Sequence, residues 1–173
     1  EARGWYERAA EQKYRIAYSR LGHLYENSFF EDDSSAVDSY RRGAELGDAE
    51  SYAQLGMRHY AGKGVPQDQR MALRYLEAVP VGSREAATWT TLAEIYLSSI
   101  EPEVRDPKRA LSAAEAALRV CKYCDVHPLL AQACFENGLY ERAVTEQQEA
   151  VGNITDETNE RVIKLAYYRS FVQ

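Results

Sequence analysis

The chain repeats itself, and a period between 20 and 50 residues decides a fold before any local propensity does. Four segments align on a leucine followed by Gly or Ala with an aromatic four or five positions on: RLGHLYENS, QLGMRHYAG, TLAEIYLSS and LLAQACFEN. Their anchors Leu21, Leu55, Leu92 and Leu130 are spaced 34, 37 and 38 apart. A second set, ARGWYERAA, AVDSYRRGA, ALRYLEAVP, ALSAAEAAL and AVTEQQEAV, begins at Ala2, Ala36, Ala72, Ala110 and Ala143, with spacings of 34, 36, 38 and 33. Two independent alignments thus give one repeat with two helical segments.

In the second set, the leading Ala and a small residue seven positions on (Ala9, Gly43, Val79, Ala117, Ala150) lie two turns apart on one helical face, where they allow close approach. Bulky residues between them, Trp5, Tyr40 and Tyr75, are expected to fill the space towards a neighbouring unit. Asp48, Ser83 and Thr155 read as helix N-caps, and Asp106 before Pro107 as a cap with Pro at the first helical position. Gly62 and Gly138 fall where first helices should end. Alternating β-branched runs are nearly absent, so strands are not expected. At the C-terminus Val162, Leu165, Tyr168 and Val172 recur at helical spacing, as expected of a helix that covers the last open face of a repeat array.

Residues Tyr14 to Val79 resemble Sel1-like repeats. AYSRLGHLYE, followed by AVDSYRRGAELGDAESYAQLGMRHYAGKGVPQDQRMALRYLEAV, carries that family's LG, aromatic, G-x-G-V, D and A-x2-Y elements almost in sequence. Residues Ala86 to Val151 resemble tetratricopeptide repeats, with LLAQACFENGLYERAVTEQQEAV the best match. The resemblance implies an all-α fold, an α-solenoid of antiparallel helix pairs with a C-terminal capping helix. Its expected divisions are the second helix of a truncated repeat (1–13), Sel1-like repeats (14–82), tetratricopeptide-like repeats (83–152) and the cap (153–173). VPVGS at Val79 to Ser83 reads as the seam between the two kinds of repeat. Ala93 replaces the usual Gly, and SSIEPEVRDP expands the following loop.

The chain has 173 residues, 45% of them apolar and 28% charged, enough for a well-buried domain. Its net charge of -6 opposes general nucleic-acid binding and attraction to anionic membranes. No apolar run is long enough to insert into a membrane. The chain opens without Met on a second helix, so it reads as a piece of a longer protein. Three cysteines, an odd number, leave the compartment open between the cytoplasm and an extracytoplasmic or secretory setting.

CKYCDVH, residues Cys121 to His127, falls on the turn between two repeats. Three readings stay open: a zinc site of Cys121, Cys124 and His127 with Cys134, a Cys121 to Cys124 disulfide, or turn and packing residues. Cys134 occupies the aromatic packing position of its repeat and is expected to point inward. His59 takes an aromatic slot and reads as structural. GKGVPQD lacks the spacing of a phosphate loop and reads as a helix-to-helix turn. EDDSS from Glu31 puts acid beside a helix N-terminus, which the dipole favours. NIT at Asn153 matches a glycosylation acceptor, which matters only in a eukaryotic secretory protein. No nucleophile and base constellation can be singled out, so neither catalysis nor a cofactor is expected.

The resemblance implies a partner-binding groove along the first helices. Its positions give one stripe of His23, Met57, Glu94 and Gln132 and a second of Glu26, Tyr60, Leu97 and Phe135, flanked by Ser19, Thr90 and Glu136. Aromatic and Met contacts would supply affinity there, and carboxylates would select a polar or basic segment. The expected function is a non-catalytic adaptor for a protein or peptide partner; the alternative is a regulatory or docking domain of a larger enzyme.

Overall fold

The structure, a computed structural model, describes residues 2–27, 32–122, 124–152 and 159–172. Among these, ten α-helices and one 3-10 turn are present and no strand. The helices are α1 (Ala2–Glu11), α2 (Arg15–Glu26), α3 (Asp33–Glu45), α4 (Ala49–Ala61), α5 (Gln69–Ala78), α6 (Ala86–Ser98), α7 (Pro107–Val120), α8 (His127–Glu136), α9 (Tyr140–Val151) and α10 (Glu160–Arg169). The four leucine anchors lie on α2, α4, α6 and α8. The five alanine anchors lie on α1, α3, α5, α7 and α9, so each repeat is a helix pair.

Local chemistry sets most of the boundaries. Asp32, Asp48, Asp68 and Asp106 accept hydrogen bonds from first-turn amides of α3, α4, α5 and α7, and Asn159 does so for α10. Pro107 follows its cap as expected. Ser83 does not cap a helix: it closes the 3-10 turn Val81–Ser83, and α6 starts after Glu85, which makes no side-chain cap bond. Thr155 and the NIT tripeptide lie outside the described residues. Gly62 ends α4 in the left-handed conformation at φ 70°, and Gly138 follows α8 at φ 75°. GKGVPQD is the turn between α4 and α5, as expected.

The chain forms two compact units, Glu1–Arg84 and Glu85–Gln173. In the first, Ala36, Val37, Tyr40, Ala44 and Leu55 form a core against Tyr25, Tyr52, Val65 and Tyr75, while Ala10, Ala17 and Leu21 pack with Tyr6, Ala9 and Tyr18. Tyr40 is fully buried, as expected, but Trp5 is 67% exposed, with the Arg8 guanidinium 4.4 Å over its ring. Trp5 therefore fills no space between the described helices. Helix pairing is close because glycines face bulk: a Cβ at Gly22 would stand 2.4 Å from Tyr40, and one at Gly56 2.5 Å from Leu76.

The second unit is built on alanine. Ala110, Ala113, Ala114, Ala116 and Ala117 of α7 are buried, as are Leu92, Ala93 and Ile95 of α6 and Leu130, Ala131 and Ala133 of α8. Helix α10 packs on α9, and its Leu165 and Tyr168 are buried. Gln147 Nε2 donates to the Arg161 carbonyl at 2.9 Å, and an Arg161 amino group donates to the Ala150 carbonyl at 3.1 Å.

Candidate partner-binding surface

In the first unit the expected groove positions meet a polar network. Arg58 of α4 is only 3% exposed. Its guanidinium pairs with Glu26 of α2, with Asp33 of α3 at 3.0 Å, and with the Lys63 carbonyl at 3.2 Å. A buried guanidinium is tolerable only when carboxylates and carbonyls replace its water. Burial pushes the Glu26 carboxyl upward, but hydrogen bonds from Arg58, Tyr40 and His23 and the Arg58 charge outweigh it and hold the group below the usual carboxylate range. Burial likewise raises the Tyr40 hydroxyl far above its ordinary value, reinforced by Glu26. His23 Nδ1 lies 3.1 Å from both Glu26 Oε2 and Tyr40 Oη, and Nε2 lies 3.2 Å from Glu50 Oε1. His23 and Glu26 thus bind α2 to α3 and α4. Ser19 is buried and donates to the Ile16 carbonyl at 3.0 Å, which removes it from any partner-facing surface. Met57 and Tyr60 stand half-buried on α4.

Arg58 is the residue that sequence reasoning missed, although the alignment carried a signal for it. Three positions after the anchoring leucine the repeats hold Leu24, Arg58, Ile95 and Ala133. One cation in an otherwise apolar column marks a charge that must find partners inside.

In the second unit, Thr90, Glu94 and Gln132 are half-buried, and Thr90 back-bonds to the Ala86 carbonyl at 2.8 Å. Leu97 is 2% exposed and belongs to the core, because its turn of α6 faces inward along with Ile95 and Tyr96. Phe135 is covered by α10: its ring stacks on Tyr168 at 4.7 Å and meets Phe171 at 4.9 Å, Tyr140 at 5.4 Å and Tyr167 at 5.5 Å. Glu136 pairs with Arg105. Of the expected stripe positions, Ser19 and Leu97 are thus buried, Phe135 packs under α10, and His23, Glu26 and Glu136 are held in polar pairs.

The cysteine turn resolves into a disulfide between Cys121 and Cys124, with Cα atoms 5.4 Å apart. Cys121 caps the C-terminus of α7, and the turn ends at His127, the first residue of α8. His127 Nδ1 lies 2.9 Å from Glu146, which with Glu115 also holds Arg142. Cys134 is fully buried, as expected, and burial pushes its thiol up to about 11. The four residues of the zinc reading are thus divided among a disulfide, an ion pair and the core, and no cluster able to hold a metal is present among the described residues.

The Sel1 repeat family model matches residues 1–14, 15–48 and 49–78. No curated protein matches the chain. A Sel1 repeat protein from Oxalobacter formigenes has a similar crystal structure, with a TM-score of 0.65 at 21% identity over 99% of this chain and 77% of that one. The protective antigen c5321 of uropathogenic Escherichia coli, which displays an SLR fold, is similar with a TM-score of 0.66 at 20% identity. That match covers 98% of this chain but only 40% of the antigen. These likenesses fix the fold as an all-α solenoid of helix pairs.

Proposed function

We propose, from the premise that residues 1–78 of this chain belong to the Sel1 repeat family, that it is a non-catalytic scaffold holding a protein or peptide partner along its first helices. Sel1 repeats commonly mediate protein–protein interaction, and the family is generally non-catalytic. Residues 83–152 are taken as tetratricopeptide-like repeats that extend the same role. The observation that carries the reading is the division of labour on the first helices. His23, Glu26 and Arg58 bind neighbouring helices together, while Met57, Thr90, Glu94 and Gln132 stay half-buried. Such residues combine contact area with low ordering cost.

The test is co-purification of partners from the native source with the parent chain and with Met57→Glu, Glu94→Lys and Gln132→Glu variants. Each variant should keep its helical circular dichroism, Met57→Glu losing partners held by the first unit and Glu94→Lys and Gln132→Glu those held by the second. Undiminished recovery of every partner by all three would refute the reading.

A further inference from the structure

We propose that the Cys121–Cys124 bridge is a dithiol-reducible modification site that controls how α10 seats on the second unit. Both cysteines are half-buried, and the bridge closes a loop of only four residues. A loop this short removes little chain entropy, so the bridge acts through local geometry, by fixing how the chain leaves α7 and enters α8. Asp125 follows Cys124 directly, and its carboxylate pairs with the guanidinium of Arg161 on α10. The same guanidinium donates to the Ala150 carbonyl in the last turn of α9, and the Arg161 carbonyl accepts from Gln147. A contiguous path therefore runs from the bridge through Asp125 and Arg161 to the start of α10. At the other end of that helix, Tyr168 stacks on Phe135 at 4.7 Å.

The chemistry is two-electron thiol–disulfide exchange with a dithiol as reductant. One reductant thiolate attacks a sulfur of the bridge, forming a mixed disulfide and releasing the other cysteine, which takes up a proton. The second reductant thiol then displaces the protein sulfur. Cys121 and Cys124 leave as thiols and the reductant leaves as its own disulfide. Once the bridge opens, the α7–α8 turn no longer holds Asp125 against Arg161, α10 loosens, and Phe135 is uncovered. A consequence for partner access follows only if Phe135 is a contact position, as the repeat resemblance implies; the release of α10 does not depend on it.

The experiment is hydrogen–deuterium exchange with mass spectrometry on the intact chain, oxidised and after native treatment with dithiothreitol. Cys121→Ser with Cys124→Ser and, separately, Asp125→Asn accompany it. Dithiothreitol should open the bridge without denaturant, and exchange should rise severalfold in α10 while α6 and α7 stay unchanged. The double Ser variant should behave like the reduced protein. Asp125→Asn should loosen α10 with the bridge intact, so the test stands even where the Ser variant folds poorly. Equal α10 exchange in both redox states, a uniform rise across the unit, a bridge that resists native dithiothreitol, or an unaffected α10 in Asp125→Asn would each overturn the proposal. No partner is needed for this readout, so it and the groove test fail independently.

Discussion

One glycine-to-alanine substitution should stabilise this protein and another should destabilise it, for reasons legible atom by atom. Gly56 lies within α4 and Gly4 in the first turn of α1. In a helix, Ala is favoured over Gly by about 0.8–1 kcal/mol. At Gly4 a Cβ meets nothing within 4 Å, so most of that gain should survive, at roughly 0.5–1 kcal/mol. At Gly56 the new methyl would lie 2.5 Å and 2.7 Å from Leu76 Cγ and Cδ2 and 3.2 Å from the Ala72 carbonyl oxygen. Carbon atoms in contact settle at about 3.5–4.0 Å, and Leu76 is fully buried, so relief requires α5 to back away from α4. Overpacking of this kind costs about 1–3 kcal/mol, and severe overlap with a locked side chain belongs at the upper end. Less the propensity gain, Gly56→Ala should lose about 1–2 kcal/mol, a fall in Tm of roughly 2–8 °C for a chain of this size. Urea titrations followed by circular dichroism at 222 nm would measure both variants. Leu76→Ala combined with Gly56→Ala should cost less than the sum of the two single changes, because removing the clash partner restores room. A Gly56→Ala protein as stable as the parent, with Gly4→Ala behaving as expected, would refute close packing of this helix pair.

Three further outcomes are expected. Thiol titration should find no reactive thiol in the native oxidised protein and one in denaturant, since the buried Cys134 thiol is pushed up to about 11; after reduction it should find three. Three thiols in unreduced, denatured protein would disprove the bridge. The Glu26 carboxyl titrates below its ordinary value, about 4.3 in an unfolded chain. Its contribution is therefore complete above that pH and is lost as pH falls through the lowered folded value. Urea midpoints across this acid range should drop more steeply for the parent than for Glu26→Gln, and parallel curves would remove Glu26 from the account. Phe135→Ala should cost about 2–3 kcal/mol, less than a fully buried Phe, and should open α10 to chymotrypsin at Tyr167 and Tyr168. Unchanged cleavage there would mean that α10 does not depend on that ring.

Helix pairing was legible because it follows from period alone. Alanine anchors two turns before small residues can only be accommodated as close-packed helix faces, and Asp48 and Asp106 carry their capping chemistry within three residues. Ser83 failed as a cap because competition among local hydrogen bonds, invisible in the composition of a turn, sent it into a 3-10 turn. The candidate surface was only partly legible. Recurrence at repeat-equivalent positions places Met57 and Glu94 correctly on first helices, but it cannot tell a solvent-facing residue from one recruited by a neighbour.

By itself, the sequence determined that this chain folds as paired helices in a repeated array and where α4 and α7 begin, because period and capping chemistry are local. Only the tertiary structure decided which polar side chains remain available. His23 meets Glu50 across 27 positions, Arg58 meets Glu26 across 32, and Arg161 meets Asp125 across 36. Those pairings come from neighbouring helices brought side by side, and for the buried Arg58 the cost of an unpaired charge fixes the partners. The same holds for the opening of α8: a cysteine pair three residues apart is compatible with a metal, a bridge or a turn. The side-chain directions imposed by α7 and α8 select the bridge and leave Cys134 in the core.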